Sequence, residues 1–379
     1  MNRFDFIIVG AGIAGASMAA ALAPGKRVLL LERESAPGYH TTGRSAALFS
    51  ETYGNAVIRR LTAGSRPFFE APPAGFAAHP LLTPRGCLFV GRADQAGTLA
   101  AMALELGAGA CRWVGAEEVR RRVPVLRHDY VAGGLLEPDA MDIDVHALHQ
   151  GFLRMARAAG AVLHTDAAVE GLERREGLWC VRCAGGEHRG AVLVNAAGAW
   201  AEEIGRMAGA TPVGLAALRR TAILLDPPTG CRPDGWPTVV DADEAFYFKP
   251  DAGKILASPA DETPSPPCDA QPEELDIAIC VDRIQQAADI PVRRVERAWA
   301  GLRCFVSDRT PVIGFDTTAP NFFWLAALGG YGIQTAPAAG RLAAALALGG
   351  GVPAELAALG LAPDPFSPAR FATHQETTR

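Results

Sequence analysis

The sequence predicts an α/β fold in which a doubly wound, parallel-sheet domain carries an inserted β-rich domain of the α+β type. The first observation is the order strand, tight turn, helix, strand at residues 4–9, 10–12, 13–22 and 28–31, which opens such a sheet. The second is a dense series of short strand-like segments in the middle of the chain. A helical pattern returns near the C-terminus, so we expect the first domain to be discontinuous.

Composition and charge place the chain among ordinary globular proteins. Of its 379 residues, 49% are apolar and 20% charged, which excludes disorder as the main state. With 36 basic and 41 acidic residues, a formal charge of −5 and no basic block, nucleic-acid binding is not expected. Apolar runs fall far short of the roughly 20 residues that span a bilayer. The chain also enters its first strand at once, so we expect no transmembrane segment, no signal peptide and a cytoplasmic location.

Periodicity places the remaining elements. Helices are predicted at about 56–69, 94–106, 116–122, 145–159, 199–208, 273–288 and 336–348. Strands are predicted at about 161–165, 168–174, 178–184, 189–195, 292–302 and 322–327, with several more between 213 and 257. Asp142 and Asp144 suit the N-terminal cap of the helix at 145–159. Five prolines between 259 and 272 predict a surface loop.

We assign these elements to two predicted domains. The first, Rossmann-like domain comprises 1–78, 136–205 and 300–379. The second, a β-rich substrate domain, comprises 79–135 and 206–299.

A glycine motif predicts a dinucleotide site at the first strand–helix turn. Gly10, Gly12 and Gly15 form a G-x-G-x-x-G, in which they serve the tight turn, the approach of a pyrophosphate and the packing of helix on strand. The following helix offers N–H groups and a positive dipole end to phosphates. Glu32 ends the second strand, where it would accept hydrogen bonds from a ribose diol.

Three further segments favour FAD over NAD. The loop 41–47, which enters a predicted helix, offers glycine, arginine and hydroxyls to pyrophosphate or ribityl oxygens, although by itself it reads equally well as a solvated loop. The buried strand 192–198 ends in small residues that let a planar group approach the backbone. The glycine turn 329–332 feeds a helix whose positive end suits the flavin edge where negative charge develops on reduction.

Together these motifs resemble the D-amino acid oxidase superfamily of FAD-dependent oxidoreductases, and within it most closely the bacterial D-arginine dehydrogenase subgroup. The resemblance covers nearly the whole chain and is carried by residues 10–15, 37–47, 72–76, 79–82, 142–151, 195–200, 247–253, 299–303 and 329–335. It implies FAD bound noncovalently, a β-rich substrate domain over the flavin face, and hydride transfer from the substrate α-carbon to flavin N5. The imino acid product then hydrolyses to a 2-oxo acid and ammonia.

The resemblance also implies residues and partners. Cofactor contacts are expected from Gly10, Gly12, Ile13, Ala14, Gly15, Glu32, Arg33, Thr42, Gly43, Arg44, Ser45, Ala47, Val169, Ala197, Gly198, Gly301, Gly329, Gly330, Tyr331, Gly332, Ile333 and Gln334. Substrate contacts are expected from Tyr53, Arg220, Tyr247, Arg303, Gly330 and Gln334, with Leu48, Ser50 and Cys87 in the pocket wall. The expected partners are a small amino acid substrate and an electron acceptor, which is a quinone, an electron-transfer protein or oxygen.

The residue types agree with a carboxylate substrate. A carboxylate in a dry site needs a planar bidentate partner, which arginine supplies. Arg303 follows an apolar strand, where a buried guanidinium without an anion is unfavourable. Arg220 adjoins Arg219, and the sequence leaves open which of the two faces a site. The hydroxyls of Tyr53 and Tyr247 would donate to the carboxylate or close the pocket, and the Gly330 carbonyl would accept from the amine.

Two departures from the subgroup bear on the substrate. Cys87 stands where the subgroup has the glutamate that holds a substrate guanidinium, and Leu48 stands where it has a histidine. Because a cation without an anion is costly to desolvate, we predict neutral or apolar D-amino acids in place of D-arginine. Glu51 is an open candidate for a replacement acid.

The sequence assigns no definite chemical role to several cysteines and histidines. Cys304, next to Arg303, stands where the similar sarcosine oxidases attach FAD, so a thioether and a packed free thiol are both considered. The other cysteines, including the pair Cys180 and Cys183, are expected to be free thiols. His146 and His149 share a helix face without a third ligand, so no metal is expected.

Three functional hypotheses remain from the sequence. The first is a D-amino acid dehydrogenase or oxidase, the second an FAD oxidase of N-methyl or cyclic amino acids or of 2-hydroxy acids, and the third a non-catalytic FAD-binding subunit. An NAD-dependent dehydrogenase is a distant fourth. The choice of electron acceptor, the catalytic base and the oligomeric state are not encoded in any motif.

Overall fold

The structure, a computed structural model, describes residues 3–107 and 109–375, with side chains as far as residue 371. Its strands are β1 (Arg3–Val9), β2 (Val28–Leu31), β3 (Leu48–Phe49), β4 (Leu82–Pro84), β5 (Cys87–Gly91), β6 (Arg112–Gly115), β7 (Gly133–Glu137), β8 (Met141–Ile143), β9 (Val162–His164), β10 (Val169–Arg175), β11 (Leu178–Cys183), β12 (Gly186–Asn195), β13 (Ala216–Leu225), β14 (Thr238–Asp241), β15 (Tyr247–Asp251), β16 (Lys254–Ser258), β17 (Thr263–Pro264), β18 (Arg297–Phe305), β19 (Val312–Phe315) and β20 (Phe322–Ala326).

The helices lie between these strands in chain order. They are α1 (Ile13–Leu22), α2 (Ala56–Glu70), α3 (Ala96–Leu106), α4 (Ala116–Arg122), α5 (Val145–Ala158), α6 (Ala201–Ala208), α7 (Glu274–Ala287), α8 (Gly332–Ala347) and α9 (Ala354–Ala357). Short 3₁₀ turns lie at Thr41–Arg44, Ala93–Gln95, Gly198–Trp200, Asp364–Phe366 and Pro368–Gln375. Within the described residues, no helix is both long enough and apolar enough to cross a membrane.

A mixed sheet with parallel central strands forms the first layer and confirms the predicted fold class. Its main order is β10-β11-β12-β1-β2-β9, and β20 joins the C-terminal half of β12 and pairs with β19. The pairs β12–β1, β1–β2, β2–β9 and β12–β20 are parallel, so the carboxyl ends of β1, β12 and β20 meet at one edge. Ligands of such sheets bind at this edge.

The parallel strands are apolar because both of their faces are covered. Ile7 and Ile8 on β1 are fully buried on opposite sides. Helix α1 packs between α5 and α8, where Gly340 allows so close an approach that an added Cβ would lie 2.7 Å from the Ser17 side chain. This packing fixes the N-terminus of α1 above the carboxyl end of β1.

A second sheet of nine strands confirms the β-rich second unit. Its main order is β17-β13-β16-β15-β14-β5-β7-β6, and β18 pairs with β13 along nine residue pairs. One face packs against α7 and α4 through a core that includes Leu88, Val239 and Phe248. The alternate residues of the same strands face a cavity. The domain boundaries given above stay a prediction.

Four local expectations are corrected by the structure. Helix α8 begins at Gly332, four residues before the predicted start. The sequence of its first turn has a low helix propensity, but this turn is buried against Ile13, and the burial outweighs the propensity. Strand β18 starts at Arg297 in place of 292, since its pairing with β13 ends there. The segment 41–47 forms a 3₁₀ turn followed by extended chain and enters no α-helix. Of the two predicted caps, Asp144 accepts from the Ala147 N–H at 2.8 Å, whereas Asp142 is held in ion pairs elsewhere.

Candidate cofactor and substrate site

Three adjoining cavities follow the edge where β1, β12 and β20 end. The first, of about 1080 Å³, lies beside the ends of β1 and β2, and the second, of about 970 Å³, lies over α1 and the start of α8. The third, of about 880 Å³, lies between the start of α8 and the nine-stranded sheet. Neighbouring cavities share wall residues, so they form one continuous cleft, with Gly12 and Thr42 at the first junction and Arg303 and Gly330 at the second.

Most predicted contact residues line this cleft. The first cavity contains Gly10, Gly12, Glu32, Arg33, Thr42, Val169, Ala197 and Gly198. The second contains Gly12, Ile13, Ala14, Thr42, Arg44, Ser45, Gly198, Gly301, Gly329, Gly330, Gly332 and Ile333. The third contains Ser45, Ala47, Leu48, Ser50, Tyr53, Cys87, Arg220, Tyr247, Arg303, Gly330, Ile333 and Gln334.

Five residues expected at the cofactor lie apart from the first two cavities. Gly15 and Gly43 line none of the three and support the loops beneath. Ala47 and Gln334 line the third cavity instead. Tyr331 lies at the outer mouth of that cavity, where it packs against the Tyr53 ring at 4.8 Å.

The glycine motif is required by backbone contacts. Gly10 has φ +98°, and an added Cβ would lie 2.4 Å from the carbonyl oxygen of Ala196. A Cβ on Gly15 would lie 1.9 Å from the Gly10 carbonyl oxygen. Both glycines therefore allow β1, the loop and α1 to approach one another, while Gly12 presents its bare backbone to the cleft at the N-cap of α1.

The Thr42 hydroxyl and the Glu32 carboxylate accept hydrogen bonds from backbone N–H groups of this loop and the start of α1. The Ile13 N–H, the first in α1, donates to Thr42 Oγ1 at 3.0 Å, which leaves the threonine hydroxyl proton for a further acceptor. Glu32 is buried at the end of β2, where its two oxygens accept from the N–H groups of Ala11 and Glu34, each at 3.0 Å. Both oxygens retain lone pairs for a diol.

His149 is a further support that the sequence analysis did not place. Its Nε2 lies 2.8 Å from the carbonyl oxygen of Ala11, so the neutral ring donates to the dinucleotide loop from α5. Burial lowers the pKa of His149. The described residues contain no cluster of three metal-binding side chains.

Arg44 fixes the position of the loop that carries Thr42. Its guanidinium donates to the carbonyl oxygens of Ala270 at 2.8 Å and Ala300 at 3.0 Å, and it pairs with Asp269. The Trp299 indole in turn donates to the Arg44 carbonyl at 3.1 Å. Arg44 therefore ties the 3₁₀ turn to β18, and its charge is already balanced.

Arg303 is a guanidinium without an ion pair at the junction of the second and third cavities. It is half-buried, and among the described residues its guanidinium has no carboxylate within 4.0 Å. Its one side-chain hydrogen bond runs from Nη1 to the Tyr53 hydroxyl at 3.3 Å. Gly330 allows this arrangement, because an added Cβ would lie 2.8 Å from Arg303 Nη1. An unpaired buried guanidinium is strongly unfavourable without an anionic ligand.

The structure separates Arg220 from Arg219. Alternation along β13 directs Arg219 away from the cleft, to Glu273 and to Asp276 at 3.0 Å. Arg220 lines the second and third cavities, and its guanidinium donates to the Asp261 carbonyl at 2.7 Å and to Glu262 at 3.2 Å. Arg220 thus faces the site with its charge partly balanced.

A buried carboxylate, Glu137, holds the loop that precedes Tyr53. It accepts hydrogen bonds from the hydroxyls of Ser50 and Thr52, both at 2.7 Å, and from the Glu51 N–H at 3.0 Å. Burial raises the pKa of Glu137. The Ser50 N–H also donates to Gln334 Oε1 at 3.2 Å, so the loop is joined to α8. Sequence reasoning missed Glu137, because its partners lie more than 80 positions away.

The wall opposite α8 is mainly apolar. Leu48, Cys87, Phe89, Val240 and Phe246 line it, and the polar residues Thr238, Glu244 and Lys249, which the sequence did not point to, line the same cavity. Burial, followed by nearby Glu137, raises the pKa of Cys87 well above its usual range, which keeps the thiol neutral. The open candidate Glu51 lies outside this wall, where it pairs with Arg66 at 2.9 Å.

The remaining thiols are free in the structure. Cys304 lines the second cavity, and burial raises its pKa to about 12, which opposes thiolate chemistry. Cys180 and Cys183 are buried and unbridged on β11.

Comparison with known proteins identifies the family. Residues 5–346 match the family model described as FAD dependent oxidoreductase. The chain belongs to this family. L-2-hydroxyglutarate dehydrogenase of Escherichia coli is similar to this chain, with 26% identity over 231 residues that cover 55% of this chain and 51% of that protein. The chain thus spans about half the length of this curated relative.

Solved structures show the same fold for this FAD-dependent oxidoreductase. Glycine oxidase from Geobacillus kaustophilus superposes with a TM-score of 0.82 at 21% identity over 97% of this chain and 98% of that one. L-α-glycerophosphate oxidase from Mycoplasma pneumoniae, with FAD bound, superposes with a TM-score of 0.82 at 15% identity over 92% and 95%. At these identities the likeness establishes the fold alone.

The residues of this FAD-dependent oxidoreductase fit its cofactor. The bare Gly12 backbone, the Thr42 hydroxyl and the N-terminus of α1 would hold the diphosphate, and Glu32 would hold the adenosine ribose. The N-terminus of α8 at Gly332 lines the second cavity, where its positive end suits a reduced flavin. FAD is therefore the cofactor, and the third cavity lies beside the flavin end of the cleft.

Proposed function

We propose that the protein is a D-amino acid dehydrogenase or oxidase that prefers neutral or apolar D-amino acids. The observation that carries the proposal is Arg303, a half-buried guanidinium without a carboxylate partner among the described residues, at the junction of the cofactor cleft and the third cavity. The motif resemblance to the D-arginine dehydrogenase subgroup supports the amino acid class and the D configuration.

The substrate carboxylate binds Arg303 in this proposal. The planar guanidinium offers paired donors that match a carboxylate, and the neighbouring Tyr53 and Tyr247 hydroxyls are available as further donors. Arg220 contributes positive charge from the other side of the cavity, while Glu262 holds it in position. The substrate α-carbon then lies between Arg303 and the second cavity.

When bound, FAD would supply the two-electron acceptor for the α-hydrogen, which leaves as a hydride once the substrate amine has released a proton to water. The Gly330 carbonyl, next to Arg303, accepts a hydrogen bond from the substrate amine and orients it. The imino acid leaves and hydrolyses to a 2-oxo acid and ammonia. A quinone, an electron-transfer protein or oxygen reoxidises the flavin.

The side chain of the substrate lies against the apolar wall. Leu48, Phe89, Val240 and Phe246 exclude water there, and the neutral thiol of Cys87 offers no charge to a cation. A guanidinium against these apolar side chains would lose its hydration, and the carboxylate that lines the same cavity, Glu244, is exposed to water and leaves such a cation unpaired at the wall. We therefore expect leucine-like and phenylalanine-like substrates to react faster than D-arginine.

The test is product formation by the purified holoenzyme with an artificial electron acceptor. Ammonia and 2-oxo acid are measured for D-leucine, D-phenylalanine, D-arginine and their L enantiomers. We expect equimolar products from D-leucine or D-phenylalanine, with D-arginine slower. Faster turnover of D-arginine contradicts the substrate preference, and no product from any D-amino acid contradicts the proposed activity.

A second candidate function is oxidation of a 2-hydroxy acid. The likeness to L-2-hydroxyglutarate dehydrogenase favours it, and Arg303 would hold the carboxylate of such a substrate equally well. The same assay separates the two, because hydroxy acids give a 2-oxo acid without ammonia. Release of 2-oxo acid from L-2-hydroxyglutarate but from no amino acid would select this alternative.

A further inference from the structure

The wall of the third cavity is built by alternate residues of three neighbouring strands. Along β14, Thr238 and Val240 line the cavity, whereas Val239 between them is fully buried in the core on the other face. Because successive strand residues point to opposite faces, the side chain of Thr238 is directed to the cavity side of the sheet. Cys87 is its partner on β5 and also lines the cavity.

The Thr238 hydroxyl lacks a hydrogen-bond partner. Thr238 is 4% exposed, and its Oγ1 is covered by protein without a hydrogen-bond partner among the described residues, so a ligand in the cavity reaches the hydroxyl after rotation about χ1. A buried hydroxyl left in this state destabilises the fold by about 1–3 kcal/mol, so such groups usually have a ligand or another explanation. The neutral thiol of Cys87, its partner on β5, is only a weak hydrogen-bonding group.

Two neighbouring polar groups are already satisfied. Lys249 pairs with Asp142 at 2.6 Å, so its charge is balanced. Glu137, the cross-strand partner of Cys87 on β7, accepts three hydrogen bonds from the Ser50–Thr52 loop. Glu244 also lines the cavity, but it is exposed to water. Thr238 therefore combines burial with hydrogen-bonding capacity that is unused among the described residues.

We propose that Thr238 is a specificity-determining residue that binds the polar end of a neutral substrate side chain, with a carboxamide as the preferred group. A threonine hydroxyl both donates and accepts, which matches the oxygen and the NH₂ of a carboxamide. Lys249 and Asp142 balance each other's charge, so neither of them favours an ionic substrate group. The inference rests on the proposed function, since it takes the substrate to be an amino acid held at Arg303.

The test compares near-isosteric substrate pairs on three holoenzymes: the wild type, Thr238→Val and Thr238→Ser. Anaerobic stopped-flow measurements give the dissociation constant and the limiting rate of flavin reduction for D-asparagine against D-leucine and for D-glutamine against D-methionine. D-Aspartate and D-glutamate form a third arm. Valine preserves the shape of threonine and removes the hydroxyl, while serine retains the hydroxyl.

We expect Thr238→Val to lower the specificity for the carboxamide member of a pair, relative to its apolar partner, by about five- to tenfold, chiefly through the dissociation constant. Thr238→Ser should keep the wild-type ratio, and Thr238→Val should unfold at no lower temperature than the wild type. An unchanged ratio in Thr238→Val overturns the assignment of Thr238, even if both substrates reduce the flavin. A preference for D-aspartate or D-glutamate overturns it in favour of Lys249, and no reduction by any D-amino acid overturns the proposed function as well.

Discussion

Removal of the Arg303 guanidinium should abolish most activity without weakening the fold. In the proposed complex the substrate carboxylate takes two charge-assisted hydrogen bonds from Arg303, each contributing about 1.5–3 kcal/mol. Arg303→Met should therefore lower kcat/KM by roughly 10²- to 10⁴-fold, since about 1.4 kcal/mol corresponds to tenfold. Arg303→Lys keeps the charge but loses the bidentate geometry, so it should lower kcat/KM by roughly 10- to 100-fold.

The stability of the same variants separates a binding role from a structural one. Arg303 makes one side-chain hydrogen bond among the described residues, to Tyr53, so Arg303→Met loses only about 1 kcal/mol of hydrogen bonding while it removes a half-buried charge that has no ion pair. The substrate-free holoenzyme of Arg303→Met should therefore have an unfolding free energy equal to that of the wild type or above it. Arg219→Met is the control, because Arg219 is the more buried of the two and pairs with Glu273 and Asp276.

For Arg219→Met we expect the opposite pattern, a loss of about 3 kcal/mol in unfolding free energy with kcat/KM nearly unchanged. Steady-state kinetics and urea unfolding of the four holoenzymes measure both quantities, and flavin content is checked by absorbance. The reasoning is refuted if Arg303→Met keeps kcat/KM within threefold of the wild type. It is equally refuted if Arg303→Met is destabilised as much as Arg219→Met.

Four further outcomes are expected. Gly10→Ala should lose FAD binding, because the added Cβ would lie 2.4 Å from a backbone carbonyl oxygen and φ at this position is positive. Titration of the apoprotein with FAD measures the affinity, and a wild-type affinity would contradict this expectation. Burial lowers the folded-state pKa of His149, so unfolding free energy should be fully present above the unfolded value of 6.5 and should decrease as pH falls below it; urea unfolding against pH should show a weaker dependence in His149→Gln. Acid precipitation should release all the flavin from the protein, because the pKa of the Cys304 thiol is raised to about 12; a mass increase equal to FAD would refute a free thiol. Cys87→Glu should raise the D-arginine to D-leucine ratio of kcat/KM at least tenfold, by placing a carboxylate in the apolar wall; an unchanged ratio would exclude this position from side-chain recognition.

Local sequence patterns predicted the elements that depend on local interactions. The order β1, α1, β2 agrees with the prediction because the apolar runs, the glycine turn and the helical period all lie within 31 residues. Helix α5 is also predicted to within one residue at its end, and its cap Asp144 forms the expected hydrogen bond. The start of α8 was placed too late, since its first turn is stabilised by contact with Ile13, which is distant in sequence.

The missed site residues depend on pairing between distant strands. The sequence left Arg219 and Arg220 undecided, because the side that each faces depends on the register of β13 with β18. Thr238 and Glu137 were missed for the same reason: parallel pairing of β14 with β5 and antiparallel pairing of β5 with β7 bring them beside Cys87. Such registers join residues up to 151 positions apart, as for Thr238 and Cys87, and no local pattern encodes them.

The most direct measurement is anaerobic reduction of the bound flavin by one pair of enantiomers, D-leucine and L-leucine. If the third cavity holds an amino acid carboxylate at Arg303 beside the flavin, D-leucine should bleach the visible flavin absorbance of the wild type rapidly and L-leucine should not. The same D-leucine reaction should be lost in Arg303→Met, which retains its flavin. Persistence of the absorbance with D-leucine, together with bleaching by a 2-hydroxy acid or by no compound tested, would contradict the account.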